Sequence, residues 1–402
     1  MPRNRWSVVF AGVSILMCLG VAYSWGVFLV PIDMDMGWGR AKISLAVSIL
    51  LLVFSVFMAV GGWLEKRIGP HNTAGWGGLL VGSGWILASL AHSPLALYLC
   101  YGGLAGIGTG LSYMPSISSG MKAFPEKKGL VTGLIVFGFG FGTAFLSPAM
   151  THMIGSYGWR RTMLFCGLLF GLTIVVASRF LRPPAAAAGP SAALHQEDRA
   201  SLSPREMMRT GAFKIMFLTY FMAMVAGMMA IGHLVAFSMD KGFSGMQAAF
   251  ALTVLSIFNG AGRILSGYAS DRWGARRTLL VLFGVIGSAM FALYHAGDLP
   301  LTYLFAAVVG LCFGGFLAVY PPLTADYFGR RDFAVNYGLI FIGYGLGCFL
   351  GPLAGGLAHD AAKSYLAAFY AAGALALLGG LVVFLFLRAP GEGTPVGPSR
   401  LG

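Results

Sequence analysis

One arginine, Arg263, lies inside a long segment that holds no other charged residue until Asp271. At 1.5 Å per residue, the eight positions between them put the guanidinium roughly 12 Å into an apolar segment. A cation at that depth is costly and normally faces a partner or a watery cavity. One alternative is that the Arg263 side chain extends to the cytoplasmic membrane interface. Another is an ion pair with a buried carboxylate, but we assign every Asp and Glu to loops or segment ends, so that partner is missing. The planar guanidinium therefore predicts a carboxylate ligand from solution.

Several residues have side chains that could complete a site around this arginine. Asn259 lies four residues earlier on the same helical face, and it can donate to a ligand or hold the guanidinium through its carbonyl oxygen. The hydroxyl groups of Tyr113, Tyr320 and Tyr344 could reach a carboxylate, although such tyrosines also serve interfacial packing. Phe341, one turn before Tyr344, could enclose the apolar end of a ligand, with ordinary packing as the alternative.

His233 is the one histidine predicted to lie well inside an apolar segment. Its side chain can titrate near neutral pH, which makes it the leading side-chain candidate for carrying a proton. One alternative is a hydrogen bond to a neighbouring helix. Another is that the proton travels on the ligand's own carboxylate.

The composition indicates that lipid surrounds most of this chain. Of its 402 residues, 57% are hydrophobic and only 10% are charged, whereas a soluble domain has about a quarter charged. The net charge of +13 is explained by basic loops beside an anionic membrane leaflet, so we expect no nucleic-acid partner. The five cysteines lie in apolar segments, which indicates neither disulfides nor a metal cluster. Because no nucleotide-binding motif or catalytic constellation is evident, we expect gradient-driven transport and not an enzyme.

Charge-free windows of about 20 residues, the length that spans a bilayer, recur along the whole chain. They predict an all-α membrane protein of twelve transmembrane helices near 7–31, 43–63, 73–92, 96–121, 129–156, 162–181, 212–238, 246–268, 277–297, 300–323, 333–358 and 364–387. With both termini on one side, 20 Lys and Arg residues lie in loops on that side and six on the other, which with Arg263 account for all 27. The excess of basic residues predicts that both termini are cytoplasmic.

A hydrophilic stretch near the middle divides the chain. We place a six-helix bundle at 1–182, a flexible cytoplasmic linker at 183–211 and a second bundle at 212–402, with a short amphipathic piece at 203–209. This organisation predicts two bundles joined by a linker.

The two halves repeat each other in sequence. Gly62 and Gly267 are 205 positions apart, and the pairs Gly106/Gly310 and Pro148/Pro352 are each separated by 204. Duplicated six-helix halves are typical of transporters that bind their substrate at the midplane between the halves.

The loops after the second and eighth predicted helices carry similar residues. They read Gly62-Trp63-Leu64-Glu65-Lys66-Arg67-Ile68-Gly69 and Gly267-Tyr268-Ala269-Ser270-Asp271-Arg272-Trp273-Gly274-Ala275-Arg276-Arg277. Glycine, acid and arginine in these positions resemble the signature loop of the major facilitator superfamily, which implies its fold of two pseudo-symmetric six-helix halves. With that resemblance, Glu65, Arg67, Asp271 and Arg272 are predicted to form a cytoplasmic gate in which acid and arginine pair across helix ends. The alternative is that these charges only set the topology.

Within that superfamily the sequence resembles the monocarboxylate transporters and the related oxalate–formate exchangers over essentially its entire length. The motifs that carry the resemblance are Ala22-Tyr23-Ser24-Trp25-Gly26-Val27-Phe28, Gly37-Trp38-Gly39-Arg40, Ile231-Gly232-His233-Leu234, Asn259-Gly260-Ala261-Gly262-Arg263-Ile264 and Asn336-Tyr337-Gly338. The resemblance implies a proton-coupled carrier of a small monocarboxylate such as L-lactate or pyruvate. Carboxylate–carboxylate exchange is the alternative.

Three positions depart from the pattern of those families. Asn259 stands where animal monocarboxylate transporters typically have an Asp that is thought to take the coupled proton, and an Asn cannot titrate. Tyr23, which we include in the binding site, stands about where they carry a Lys, and Tyr344 lies near a second cation of the oxalate exchangers. One buried cation balances a monoanion and not a dianion, which favours a monocarboxylate over oxalate.

The expected partners are a small carboxylate, a proton and the lipid bilayer, with no cofactor and no metal. The composition and short loops suggest a multi-pass protein of a bacterial inner membrane. With no persuasive dimer motif in the sequence, we expect a monomer.

Overall fold

The computed structural model describes residues 5–181, 201–362 and 364–387, and within these ranges the chain is helical with short connections and no strand. We number the long helices by the spans that they form. Their bounds are α1 Arg5–Gly20, continued by a turn at Val21–Ser24 and by Gly26–Met36, α2 Arg40–Ile68, α3 Pro70–Ser89, α4 Pro94–Ala123, α5 128–157, α6 159–178, α7 Gly211–Asp240, α8 Gly245–Trp273, α9 Ala275–His295, α10 Leu299–Phe328, α11 Phe333–Ala362 and α12 Leu366–Phe386. The predicted all-α architecture is confirmed.

The helices have the length and composition of membrane spans. Ten helical stretches in the described ranges are long and apolar enough to cross a bilayer, and one of them, Pro125–Ser178, contains both α5 and α6. The 20-residue helix α3 packs against α4 and α6 and completes the set of twelve. The chain is therefore a multi-pass membrane protein.

Helix ends and helix crossings show the sequence repeat in three dimensions. α2 ends at Gly69 (φ 83°) and α8 ends at Gly274 (φ 86°), and glycine adopts this left-handed conformation without steric cost. Gly106 of α4 lies against the backbone of α2, and Gly310 of α10 lies against the backbone of α8. The two halves therefore repeat the same helix contacts.

Two connections differ from the predicted boundaries. α1 runs on to Met36 and is interrupted by the turn at Val21–Ser24, where a Cβ on Gly20 would lie 1.8 Å from the Phe139 carbonyl oxygen of α5. This close approach of α1 to α5 fixes the start of the turn that carries Tyr23. α5 and α6 are separated by a single non-helical residue, Gly158 (φ 79°), and not by a loop.

A short helix lies where the amphipathic piece is predicted; residues 183–200 of the predicted linker lie outside the described residues. The short helix, Pro204–Arg209, begins with a capping box in which the Ser203 hydroxyl and backbone N–H donate to Glu206 Oε2. These two hydrogen bonds hold the pKa of the Glu206 carboxyl below its usual range. The Asn336 amide donates to the Leu202 carbonyl oxygen, which attaches this part of the linker to α11.

Contacts between the halves are made mainly by two helix pairs, α5 with α8 and α2 with α11. Both described ends of the chain lie at one end of the molecule: Arg5 donates to the Ala123 carbonyl oxygen, and Arg276 donates to the Leu387 carbonyl oxygen. We call this end, with its connections at 124–127 and 329–332, the terminal face. The cross-half contacts start there and run inward to the centre of the molecule.

Candidate functional site

Arg263 lies in the α5/α8 interface and is fully buried. Its Nε donates to Asn259 Oδ1 at 3.0 Å, and its Nη1 donates to the Val136 carbonyl oxygen of α5, in the other half, at 2.5 Å. Among the residues that the structure describes, Nη2 has no hydrogen-bond partner and no carboxylate forms an ion pair with the guanidinium. A buried cation with a free N–H group and no counter-ion is suited to bind an anion.

The ring of Phe139 connects the arginine to a group of aromatic side chains. The guanidinium carbon of Arg263 lies 5.9 Å from its centroid, and the same ring packs against Tyr23 at 5.2 Å and Tyr113 at 5.8 Å. Tyr113 in turn lies 5.6 Å from Phe341. We call the connected set the aromatic cluster; its members are Tyr23, Phe54, Tyr113, Phe139, Tyr220, Tyr320, Tyr337, Phe341 and Tyr344.

The tyrosine hydroxyls of the cluster are partly paired. Tyr23 and Tyr344, from opposite halves, have their hydroxyl oxygens 2.5 Å apart, and Tyr320 donates to Thr219 Oγ1 at 2.9 Å. The Tyr113 hydroxyl is buried without a hydrogen-bond partner among the described residues, and it interacts electrostatically with the arginine. A free O–H and a free N–H group together suit the two oxygens of one carboxylate.

The site is closed in this structure. Arg263 and Phe341 are 0% exposed, and Tyr113 and Tyr344 are 1% exposed, whereas Tyr23 is partly exposed. A ligand therefore enters only when the side chains around the arginine move apart.

The structure brings the predicted binding residues into one place. They are Tyr23, Tyr113, Asn259, Arg263, Tyr320, Phe341 and Tyr344. Sequence reasoning missed the remaining lining residues Phe54, Val136, Phe139, Thr219, Tyr220 and Tyr337. For Tyr337 a signal exists, because it lies four residues before Phe341 and seven before Tyr344, on one helical face. For the others no local pattern points to the site.

His233, the predicted proton carrier, makes hydrogen bonds outside the aromatic cluster. Its Nε2 lies 2.8 Å from the Pro352 carbonyl oxygen of α11, and its Nδ1 lies 3.2 Å from the Tyr365 hydroxyl at the start of α12. The imidazole thus links α7 to α11 and to the start of α12, which matches the alternative that His233 makes a hydrogen bond to a neighbouring helix. It is only partly buried.

The four predicted gate residues take different positions at the terminal face. Glu65 accepts from Ser118 and Lys122 of α4, in its own half, and Arg67 lies over the Trp63 ring at 4.0 Å. These two residues therefore make contacts within the first half.

Asp271 is the predicted gate residue that contacts the other half. Its two carboxylate oxygens accept from the backbone N–H groups of Gly129 and Leu130, at 2.8 Å each, where α5 begins. Arg272, the next residue, donates to Tyr268 in its own helix at 3.2 Å. A carboxylate is stabilised at a helix N-terminus by free N–H groups and by the helix dipole.

Two ion pairs that the sequence reasoning missed also cross between the halves. Lys66 pairs with Asp332, and Lys128 pairs with Asp326. The closed terminal face therefore depends on the predicted gate residue Asp271 and on Lys66, which lies between the predicted gate residues Glu65 and Arg67. Three further charged residues contribute: Lys128, Asp326 and Asp332.

Comparison with known proteins identifies the family. A profile described as Major Facilitator Superfamily matches residues 10–298 and 216–400. The chain belongs to the major facilitator superfamily. The predicted family and fold are therefore confirmed, and this member is a transporter.

Relatives within the superfamily include carboxylate carriers. The chain is 27% identical to the oxalate:formate antiporter of Oxalobacter formigenes over 84% of this chain and 81% of that protein. It is 29% identical to monocarboxylate transporter 13 of Bos taurus over 94% of this chain and 88% of that protein. The resemblance to the monocarboxylate transporter and oxalate–formate exchanger group is thereby confirmed.

Solved structures of the superfamily share the fold. The proton:xylose symporter XylE, bound to 6-bromo-6-deoxy-D-glucose, superposes with a TM-score of 0.72 at 14% identity, covering 96% of each chain. The transporter FucP in the outward conformation gives a TM-score of 0.70 at 14% identity, over 94% of this chain and 97% of that one. At this identity the likeness shows the fold alone.

Proposed function

We propose that this transporter carries a small monocarboxylate, such as L-lactate or pyruvate, together with a proton by alternating access. The observation that carries the proposal is the buried Arg263 guanidinium, with Nη2 free and no ion-paired carboxylate among the described residues. The unpaired Tyr113 hydroxyl adds a second donor. Two relatives, an oxalate:formate antiporter and a monocarboxylate transporter, support the same class of substrate.

Charge balance favours a monoanion. Leaving a buried charge uncompensated costs about 3–5 kcal/mol, so an anion that pairs with Arg263 stabilises the closed state and lets the loaded carrier reorient. A dianion would leave one negative charge unbalanced in the same apolar surroundings. The aromatic cluster around the arginine suits a ligand whose remaining part is small and apolar.

The proton has two candidate carriers. His233 is the titratable side chain that we favour, because Asn259, the residue bonded to the arginine, cannot titrate. The alternative is the substrate's own carboxylate. Carboxylate–carboxylate exchange without a proton is the second candidate function, and the oxalate:formate antiporter among the relatives favours it.

We further propose that the terminal face is cytoplasmic in a bacterial inner membrane and that the chain works as a monomer. The orientation follows from the 20 Lys and Arg residues assigned to that side against six on the other.

The test is uptake of labelled L-lactate into proteoliposomes with and without an inward proton gradient. We expect the gradient to stimulate uptake and Arg263→Ala to lower it about a hundredfold or more, because the substrate loses its counter-ion. Arg277→Ala, which removes an exposed arginine at the start of α9, is the matched control and should transport normally. Uptake that ignores the gradient but requires carboxylate inside the vesicles would identify an exchanger. Normal transport by Arg263→Ala would contradict the proposed site.

A further inference from the structure

The Tyr220 and Tyr337 hydroxyls form a buried polar pair inside the aromatic cluster. Tyr220 of α7 and Tyr337 of α11 are both 0% exposed, and their oxygens are 3.4 Å apart. The Tyr220 ring stacks on Tyr320 at 3.9 Å with an interplanar angle of 10°, and the Tyr337 ring packs edge-on against Phe341 at 5.7 Å. Packing therefore holds both rings in place, and the two oxygens stay at a long hydrogen-bond distance.

The donor count of this pair leaves one O–H group unused. Each tyrosine hydroxyl has one proton and two lone pairs, so a pair makes one hydrogen bond and keeps one free donor. The neighbouring hydroxyl of Tyr320 has no such surplus, since it donates to Thr219. Among the residues that the structure describes, Tyr220 and Tyr337 thus hold one O–H donor without an acceptor, in surroundings where an unsatisfied polar group is costly.

The pair lies close to the carboxylate-binding groups. Tyr113, whose hydroxyl has no partner among the described residues, packs against Phe139 at 5.8 Å, and the Arg263 guanidinium carbon lies 5.9 Å from the same Phe139 ring. Phe341 contacts the rings of Tyr113, Tyr220 and Tyr337 at 5.6, 5.9 and 5.7 Å. A small ligand whose carboxylate meets Arg263 and Tyr113 therefore has its next polar group beside the tyrosine pair.

Resting on the proposed function, we propose that Tyr220 and Tyr337 form a specificity subsite for an oxygen on the carbon next to the substrate carboxylate. The subsite selects 2-hydroxy and 2-oxo monocarboxylates over plain alkyl monocarboxylates. An alkyl acid leaves the spare O–H group buried and unpaired, whereas a hydroxyl or keto oxygen accepts from it. Sites that hydrogen-bond a substrate oxygen reject analogues that lack it.

The experiment compares substrates that differ in that one oxygen. Unlabelled L-lactate, pyruvate and propionate compete against labelled L-lactate in proteoliposomes, and the readout is the ratio of half-inhibiting concentrations of propionate and L-lactate. For the wild type we expect a ratio of about ten or more. Tyr220→Phe and Tyr337→Phe each leave one hydroxyl whose O–H is free to donate, so each single variant should keep a ratio of about ten. The double variant Tyr220→Phe/Tyr337→Phe keeps both rings but removes both donors, and it should bring the ratio to within about threefold of one. Tyr101→Phe removes a buried hydroxyl outside the aromatic cluster, where the ring packs against Trp25 and Trp85, so it is the matched control and should keep the wild-type ratio.

The outcomes separate this inference from the proposed function. If L-lactate uptake is absent, or does not depend on Arg263, the proposed function fails and the subsite fails with it. If uptake depends on Arg263 but the wild type does not discriminate, or the double Phe variant keeps the wild-type ratio, the subsite alone is wrong. Thermal unfolding midpoints identify any variant that folds poorly; if the double Phe variant does, Tyr220→Leu/Tyr337→Phe replaces it and decides.

Discussion

The two interfaces that join the halves, α5/α8 and α2/α11, are related by the repeat but differ in chemistry. With the offset of 205, Arg263 of α8 corresponds to Met58 of α2, and Asn259 corresponds to Phe54. The α5/α8 interface therefore contains a buried cation and an amide, whereas the equivalent positions of α2 are apolar. Phe54 instead contacts Phe341 of α11, with ring centroids 5.2 Å apart. The two interfaces share the repeated helix arrangement, but the buried charged and amide groups lie only in the α5/α8 interface at these positions.

The helices that face α8 and α2, which are α5 and α11, differ in the size of their side chains. With the offset of 204, Gly133 of α5 corresponds to Tyr337 of α11, and Gly140 corresponds to Tyr344. A Cβ on Gly133 would lie 2.3 Å from the Arg263 carbonyl oxygen, so the glycine lets α8 approach closely. On the other interface, α11 supplies the large aromatic side chains itself. At these positions the α5/α8 interface thus combines a buried cation with glycines, whereas the α2/α11 interface has large side chains on both helices.

At the terminal face, equivalent positions of the two halves carry charges of opposite sign. Lys66 on α2 stands at the position equivalent to Asp271 on α8, and Lys128 stands at the position equivalent to Asp332. As a result, the carboxylates of the cross-half contacts, Asp271, Asp326 and Asp332, all belong to the second half. The positive partners belong to the first half, so the two halves attract each other when this face closes.

Among the variants that compare the two interfaces, the largest effect should come from filling the space at Gly133 of α5 and Gly338 of α11 with a methyl group. Gly133→Ala and Gly338→Ala each place a Cβ against backbone, 2.3 Å from the Arg263 oxygen and 2.4 Å from the Ala59 Cα. We expect each to lower the maximal uptake rate about tenfold or more, because the halves cannot close without a backbone shift. Only Gly133→Ala should also raise KM, since the shifted backbone belongs to Arg263.

The matched control is Gly284→Ala on α9, where an added Cβ meets no atom within 4 Å. It should transport normally. Equal KM values for the Gly133→Ala and Gly338→Ala variants would remove the functional distinction between the two interfaces.

The next largest effect should come from changing the charge beside Arg263. Asn259→Asp places a carboxylate where the amide oxygen now accepts from Arg263 Nε at 3.0 Å. This carboxylate competes with the substrate, and we expect KM for L-lactate to rise about tenfold at pH 7.5, where the new acid is ionised. As the pH falls through the pKa of the new acid, its protonation frees the guanidinium and KM should fall again. Uptake measured from pH 5 to 8 tests this.

The uncharged substitution Asn259→Ser is the control for lost hydrogen bonding. It should change KM less and add no pH dependence. A wild-type KM at pH 7.5 in the Asn259→Asp variant would show that the arginine does not bind the anion.

Local patterns in the sequence predicted those parts of the site that depend on neighbours along one helix. The Asn259–Arg263 hydrogen bond is an i,i+4 contact, and the cost of a charge in lipid follows from one residue and its depth. The helix spans were predicted for the same reason, whereas the repeat was predicted from matching residues 204 or 205 positions apart. The partners on other helices, such as Val136, 127 positions away, have no local signal because they depend on how α5 and α8 cross.

The gate shows how a one-residue difference on a helix changes a contact. Successive residues of an α-helix point about 100° apart, so Glu65 and Lys66 face different neighbours. Glu65 turns to Lys122 of α4, and Lys66 turns across the interface to Asp332. The motif locates the gate region, but the rotation of α2 decides which of its charges crosses between the halves.

The smallest effect should come from removing single charges of the terminal face, and it separates the two interfaces by their salt dependence. Asp271→Asn leaves one side-chain acceptor for the two backbone N–H groups of α5, whereas Asp332→Asn leaves Lys66 without its carboxylate. We expect each to raise the terminal-face-open population about two- to fivefold, since single charged contacts near a surface contribute about 1 kcal/mol or less. Spin-label distances across this face measure that population.

Raising KCl from about 0.05 to about 0.5 M should shrink the Asp332→Asn effect, because Lys66 is 36% exposed and its ion pair is screened in the wild type. The Asp271→Asn effect should persist, because its partners are backbone N–H groups of a helix. The same salt dependence for both variants would mean that the two interfaces close by one and the same electrostatic attraction, despite their exchanged charges.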